Sequence, residues 1–303
     1  MIAPVIVFAY NRADHLKKTL EALSNNQLAK DTEVFVFVDG PKTEKGETSQ
    51  QEVVKCIEIF EEGYFLRVHK IISDKNKGLA KSVINGVTDV INQYGKVIVL
   101  EDDSVSDPSY LSFMNQALNF YENCEAVWSI GGFTVPMNLP VDYKKDVIAT
   151  QRVSSCAWGI WKDRWDKIDW SETPYKKFRF SFCKRGKFNR WGKDRASMYD
   201  DQMNGRINSW AIRFDYAMFS NNAINIIPRS SLIQNIGMDG SGTHSHKSQE
   251  TSFYVELGGR TEWQLEVVEM EEKVRKEFCK PFHMSCFTRT KRFLGNLLYK
   301  KKK

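Results

Sequence analysis

Short apolar runs rich in β-branched and aromatic residues alternate with helically periodic segments along the first half of the chain. "PVIVFAY" (4–10), "EVFVFVDG" (33–40), "LRVHKIISD" (66–74) and "KVIVLEDD" (96–103) read as four buried strands. Between them, "ADHLKKTLEALSNN" places Leu16, Leu20 and Leu23 at helical spacing, and "GLAKSVINGVTDVINQYG" repeats the pattern. Further helices are expected around 49–61 and from about 107. Alternation of this kind implies an α/β fold with a mostly parallel central sheet flanked by helices. In such a fold, ligands bind in the crevice at the carboxyl ends of the strands.

The residues at those ends are not ordinary turn formers. The first strand runs into Asn11-Arg12, the second into Asp39, the third into Asp74 and "KNKGLAKS", and the fourth into Glu101-Asp102-Asp103. Three adjacent carboxylates repel one another unless a cation joins them, and hard oxygen donors suit Mg²⁺ or Mn²⁺. A solvated acidic turn capping the next helix, with Ser104 and Asp107, is the blander reading. Together the four ends offer a nucleotide diphosphate cationic and amide donors, a carboxylate for base or ribose, and a metal site.

Composition limits the classes. The 303 residues suffice for one large α/β domain with appendages or for two modest domains. The net charge of +6 rests partly on the tail "FTRTKRFLGNLLYKKKK", so no nucleic-acid field is expected over the whole body. Six scattered cysteines without a Cys-x-x-Cys pair suggest a reduced, cytoplasmic protein. The beginning "MIAPVIVFAYNR" does not read as a signal peptide. No apolar run approaches the ~20 residues that cross a bilayer.

The second half is turn-rich and aromatic from about 131 to 195, with helices expected near 197–220 and 262–277. "NIGMDGSGTHSHKS" reads as a glycine-rich loop.

The ordered set "VIVFAYNRADHLKKTLEAL", "FVFVDG", "SDKNKGLAKSVINGV" and "VIVLEDDSVSDPSYL" resembles the nucleotide-binding half of GT-A glycosyltransferases, including family 2. "LEDDSVSDPSYLSFM" is closer to the Glu-Asp-Asp version of N-acetylglucosaminyltransferase I. "SSCAWGIWKDRWDKI", "MYDDQMNG" and "PRSSLIQNIGMDGSGTHS" follow the order of that family's later motifs. The resemblance runs from about residue 3 to 246. It implies that Asp103 binds Mn²⁺ or Mg²⁺ and that Glu101 and Asp102 face the nucleotide-sugar. Asn11 and Arg12 would lie on the diphosphate side, and Asp39 would accept from uracil. Asn76 stands where the relatives have His. His244 would touch a phosphate or the metal when residues 237–248 close over the donor, although a loop histidine in water is the simpler state.

Sugar transfer needs a base for the acceptor hydroxyl. "MYDDQMNG" places Asp200 and Asp201 at an expected helix start. Asp200 is read as the cap and Asp201 as the base, with the reverse assignment close behind. Trp158, Gly159 and Trp161, with Trp165, are assigned to the acceptor side, core packing being the rival reading.

The resulting expectation is a metal-dependent inverting glycosyltransferase with a UDP-linked donor and a saccharide or lipid-linked saccharide acceptor. Residues 1–130 would form its nucleotide-sugar-binding half, 131–280 its acceptor-side half, and 281–303 a basic amphipathic tail. The tail, with Phe282, Phe287, Phe293, Leu294, Leu297 and Leu298, suits peripheral contact at the inner face of a membrane, or an ordinary solvated helix. A sugar-phosphate nucleotidyltransferase is an alternative, weakened because "AYNRADH" stands where its glycine- and lysine-rich loop belongs. A non-catalytic carbohydrate-binding module of the same fold is the other.

Overall fold

The computed structural model describes residues 2–43, 45–240, 253–260 and 262–298. Ten strands are described: β1 (Val5–Ala9), β2 (Glu33–Val38), β3 (Arg67–Ile72), β4 (Lys96–Glu101), β5 (Ser104–Ser106), β6 (Val127–Gly131), β7 (Val147–Thr150), β8 (Ala157–Trp161), β9 (Ile224–Pro228) and β10 (Ile233–Asn235). Eight form one sheet in the order β3-β2-β1-β4-β8-β6-β9-β7, and β5 pairs with β10 beside it. The β1–β2, β1–β4, β2–β3 and β6–β9 pairs are parallel, whereas β8 runs antiparallel between β4 and β6 and the edge strand β7 runs antiparallel to β9. The sheet is therefore mostly parallel, as expected.

The period of two in β1 divides the core. Val5 and Val7 face one cluster with Leu16, Leu20 and Leu23 of α1 (Ala13–Ser24) and Val53 and Ile57 of α2 (Lys45–Glu58). Ile6 and Phe8 face the other with Val83, Val87 and Val90 of α3 (Leu79–Tyr94). Each of these buried side chains contributes about 1.5–3 kcal/mol of apolar transfer. Gly86 of α3 faces Phe8, whose ring carbon would lie 2.9 Å from an added Cβ, so a glycine lets the helix sit close.

α1 is also tied to the strand end that carries the acidic triplet. Thr19 Oγ1 donates to the Asp102 carbonyl at 2.8 Å and accepts from the Ser104 amide at 3.1 Å. After β5 comes α4 (Tyr110–Phe120), and after β8 a short α5 (Lys162–Trp165).

The remaining helices are α6 (Thr173–Phe178), α7 (Phe182–Phe188), α8 (Arg195–Met203), α9 (Ala211–Ser220), α10 (Glu272–Phe278) and α11 (Cys286–Leu298). The helical region expected near 197–220 consists of two helices, α8 and α9. The chain leaves α8 through Gly205, whose φ of 74° is a left-handed conformation that ends a helix. Helix near 262–277 is confined to α10, because the preceding residues run outside helix and bury Trp263 and Val268 in the first core.

Candidate active site

A cleft of about 340 Å³ opens at the carboxyl ends of β1, β2 and β4, lined by Asn11, Arg12, Asp39, Asn76, Glu101, Asp102 and Asp103. Seven residues singled out from separate strand ends in the sequence thus share one wall.

Arg12 organises the acidic triplet. Its Nη2 donates to Asp103 Oδ2 at 2.8 Å and to Asp102, while Nε donates to Asp102 Oδ2 at 3.3 Å. Burial opposes the guanidinium charge, but the two carboxylates outweigh it and raise the Arg12 pKa. Burial pushes Glu101 up to about 8, and repulsion by Asp103 and Asp102 adds to it. Burial raises Asp102 to about 6, against the opposing pull of Arg12. Arg12 Nη1 is buried without a hydrogen-bond partner, a donor suited to an anionic oxygen.

Asp103 is held from a second side. Its Oδ1 accepts from Asn235 Nδ2 of β10 at 3.1 Å, and its carbonyl accepts from the Ile236 amide at 2.9 Å. Gly237 follows, and a Cβ there would fall 1.9 Å from Asp103 Oδ2. The β5–β10 pair therefore presses a glycine against the carboxylate.

Asp39 is bound by the backbone. Oδ1 accepts from the Gly40 and Lys77 amides at 2.9 and 2.8 Å, and Oδ2 from the Gly78 amide at 2.8 Å. Asn76 Nδ2 donates to the Gly40 carbonyl at 2.7 Å. A Cβ at Gly40 would meet the Lys75 backbone at 2.3 Å, so the two loops touch through glycine. Asp39 joins the β2 end to the start of α3, with lone pairs left for a ligand.

No trio of Asp, Glu, His or Cys among the described residues is arranged to hold an ion unaided. One or two carboxylates at this cleft still fit Mg²⁺ or Mn²⁺, which take their remaining oxygens from phosphates and water.

Three acceptor-side assignments are corrected. Trp158, Gly159 and Trp161 lie on β8 in the middle of the sheet, buried, and none lines the cleft. Packing explains this. Trp158 stacks behind Trp210 with centroids 4.9 Å apart, Gly159 sits 3.1 Å (from an added Cβ) below Val97 O, and Trp161 Nε1 donates to the Leu118 carbonyl. Trp210 lines the cleft in their place. Beside it, sharing Asn208, lies a second cleft of about 390 Å³ lined by Trp170, Glu172, Gln202 and Arg213.

The reading of Asp200 and Asp201 as a helix start, with Asp200 its cap, needs correction. They lie late in α8, neither caps it, and neither lines the cleft. Asp200 is sealed by Arg185 at 2.8 and 2.6 Å and by the Tyr175 hydroxyl at 3.0 Å. Asp201 accepts from Asn296 Nδ2 at 2.9 Å and from Arg292, both on α11. Gln202, the next residue, lines the second cleft and accepts from the amide of Ser209, which lines the first.

His244 and the loop from residue 241 lie outside the described residues. Tyr10, Lys42, Trp210 and Asn235 line the cleft without having been singled out. Tyr10 and Lys42 follow the ends of β1 and β2, so the strand-end rule itself points to them.

Residues 5–198 match the model of Glycosyl transferase family 2. No curated protein matches the chain. Among solved structures, S. aureus TarS in complex with UDP is similar at 16% identity and a TM-score of 0.35, over 48% of this chain and 40% of that one. The chain spans only 25% of another, longer TarS structure. Galactosyltransferase LgtC in complex with donor and acceptor sugar analogs aligns at 11% identity and a TM-score of 0.39, over 73% and 72% of the two chains. UDP-glucose pyrophosphorylase complexed with UDP-glucose aligns at 10% and 0.39, over 76% and 91%.

Proposed function

The chain belongs to glycosyl transferase family 2, and on that premise we propose that it moves a sugar from a UDP-linked donor to a saccharide or lipid-linked saccharide, with inversion and with Mn²⁺ or Mg²⁺. The observation that carries this is the gathering of Arg12, Asp39, Asp102 and Asp103 on one cleft, with Arg12 Nη1 buried and unpartnered. In this reading Asp39 accepts from the uracil ring. Arg12 and Asn11 serve the diphosphate, and Asp103, backed by Asn235, holds the metal. The metal, when bound, supplies charge to the leaving diphosphate.

The acceptor side is assigned to the second cleft at Trp170 and Arg213, which adjoins the first through Asn208. Asp201 remains the proposed base. Its hydrogen-bond partners Arg292 and Asn296 come from α11, with Arg206 Nη1 3.8 Å away, whereas Asp200 is locked to Arg185 inside the fold. Acting as a base requires Asp201 to exchange Arg292 for the acceptor hydroxyl. Closeness to N-acetylglucosaminyltransferase I stays part of this proposal, supported by the order of the Glu-Asp-Asp and later motifs.

The test is release of UDP from a panel of UDP-sugars in the presence of Mn²⁺, without acceptor. Slow metal-dependent hydrolysis is expected. A protein that neither binds nor cleaves any of them would favour a non-catalytic module.

A further inference from the structure

Residues 173–193 and 278–303 together carry sixteen of the chain's 44 Lys and Arg and none of its 38 Asp and Glu, so the remainder is net acidic. The fold brings their described parts together at α7 and α11. Phe182 of α7 packs on Phe293 of α11 with centroids 5.9 Å apart, and the Arg185 guanidinium lies 4.6 Å from the Phe293 ring centroid. Asp200 and Asp201, adjacent on α8, fasten one stretch each, through Arg185 and Arg292.

Arg185 and Arg292 turn inward, and Arg190 and Lys280 pair with Glu272 and Glu277. Lys176, Lys177, Lys184, Lys187 and Lys291 are exposed and pair with no carboxylate among the described residues. Large apolar side chains stand out among them: Phe180 is 64% exposed, Phe182 74%, Phe287 78% and Leu294 53%. On α11, Phe287, Lys291 and Leu294 recur at helical spacing on the side opposite Asn296, which is buried. Exposed apolar groups ringed by unpaired lysines are costly in water and mark an interaction surface.

We propose that the α6–α7 stretch and α11 form one bipartite surface that docks on an anionic lipid membrane, the aromatic and leucine side chains entering the interface and the lysines meeting the headgroups. Charge complementarity selects this partner, since each Lys near an anionic leaflet adds attraction while the phenylalanines require an apolar phase. Among the described residues no helix is long and apolar enough to cross a membrane, which makes the contact peripheral. Unlike a tail acting alone, this surface needs the internal stretch 173–193. The proposal is independent of what the cleft transfers.

Cosedimentation of the full chain with phosphatidylcholine vesicles, with and without phosphatidylglycerol, tests it. Binding only to the anionic vesicles is expected. The K176E/K177E/K184E/K187E variant should bind them more than ~10-fold more weakly, with an unchanged melting transition showing that it folds. F180S should lower binding without altering charge. Equal binding by the charge-reversed variant, or binding to single-stranded RNA in place of vesicles, would overturn the proposal.

Discussion

Arg12 and Asp103 are joined at 2.8 Å at the cleft wall, and the same guanidinium also holds Asp102. One cation thus keeps two adjacent, buried carboxylates together. The arrangement leaves Arg12 Nη1 without a partner, and it sets how the cleft should respond to substitution, pH and metal.

Arg12→Met should expose that dependence. Removing one partner of a buried ion pair leaves uncompensated charge and costs about 3–5 kcal/mol. The metal-free variant is expected to melt well below the wild type at neutral pH. Mn²⁺ should restore more of its melting temperature than it adds to the wild type, because the metal takes over the same carboxylates. Equal shifts in both proteins would separate Arg12 from the metal site.

The pH response follows from Glu101 at about 8 and Asp102 at about 6. Both exceed their unfolded values, so across this window the native state holds protons that the unfolded chain has released. Stability of the metal-free protein should therefore fall as pH rises from about 5 to 8. Mn²⁺ affinity should rise over the same range, since binding expels those protons. Glu101→Gln should flatten the melting curve against pH, and an unchanged slope would contradict the assignment.

Asp200→Asn and Asp201→Asn should separate structure from chemistry. Asp200 is 1% exposed and bound by Arg185 and Tyr175, so its loss should cost several kcal/mol in urea unfolding. Asp201→Asn should lower kcat by roughly a hundredfold, with UDP affinity nearly unchanged. Full transfer activity in the Asp201 variant would remove it as the base.

Gly237→Ala probes the pressure of the β10 end on Asp103. A Cβ 1.9 Å from Oδ2 and 3.1 Å from Arg12 Nη1 cannot be accommodated without moving one of them. Metal-dependent UDP affinity should drop by about an order of magnitude or more. Gly186→Ala, which meets nothing within 4 Å, should leave it unchanged.

What the sequence showed and what it hid have physical causes. Buried parallel strands such as "VIVFA" are continuous apolar runs, so their ends, and with them Arg12, Asp39 and Asp103, were legible. β8, "AWGIW", is equally buried on both faces, and a tryptophan run there reads the same as a sugar platform. Asp194, just before α8, is a capping residue type that the sequence reading passed over, although its carboxylate pairs with Arg152 and caps no helix. Asp200 and Asp201 consequently seemed to begin a helix that had started at Arg195. Their partners Arg185 and Arg292 lie 15 and 91 residues away, a pairing that local pattern does not reveal.

The central claim is that Asp103 anchors a metal through which the cleft binds a nucleotide diphosphate. Calorimetric titration of UDP into the wild type and Asp103→Asn, each with Mn²⁺ and with EDTA, tests it most directly. Arg12 keeps Asp102 in the variant, so the fold should survive, as its thermal transition will show. The account predicts UDP binding by the wild type with Mn²⁺, at least tenfold weaker binding in EDTA, and no metal response in Asp103→Asn. Equal UDP affinity in all four titrations would contradict it.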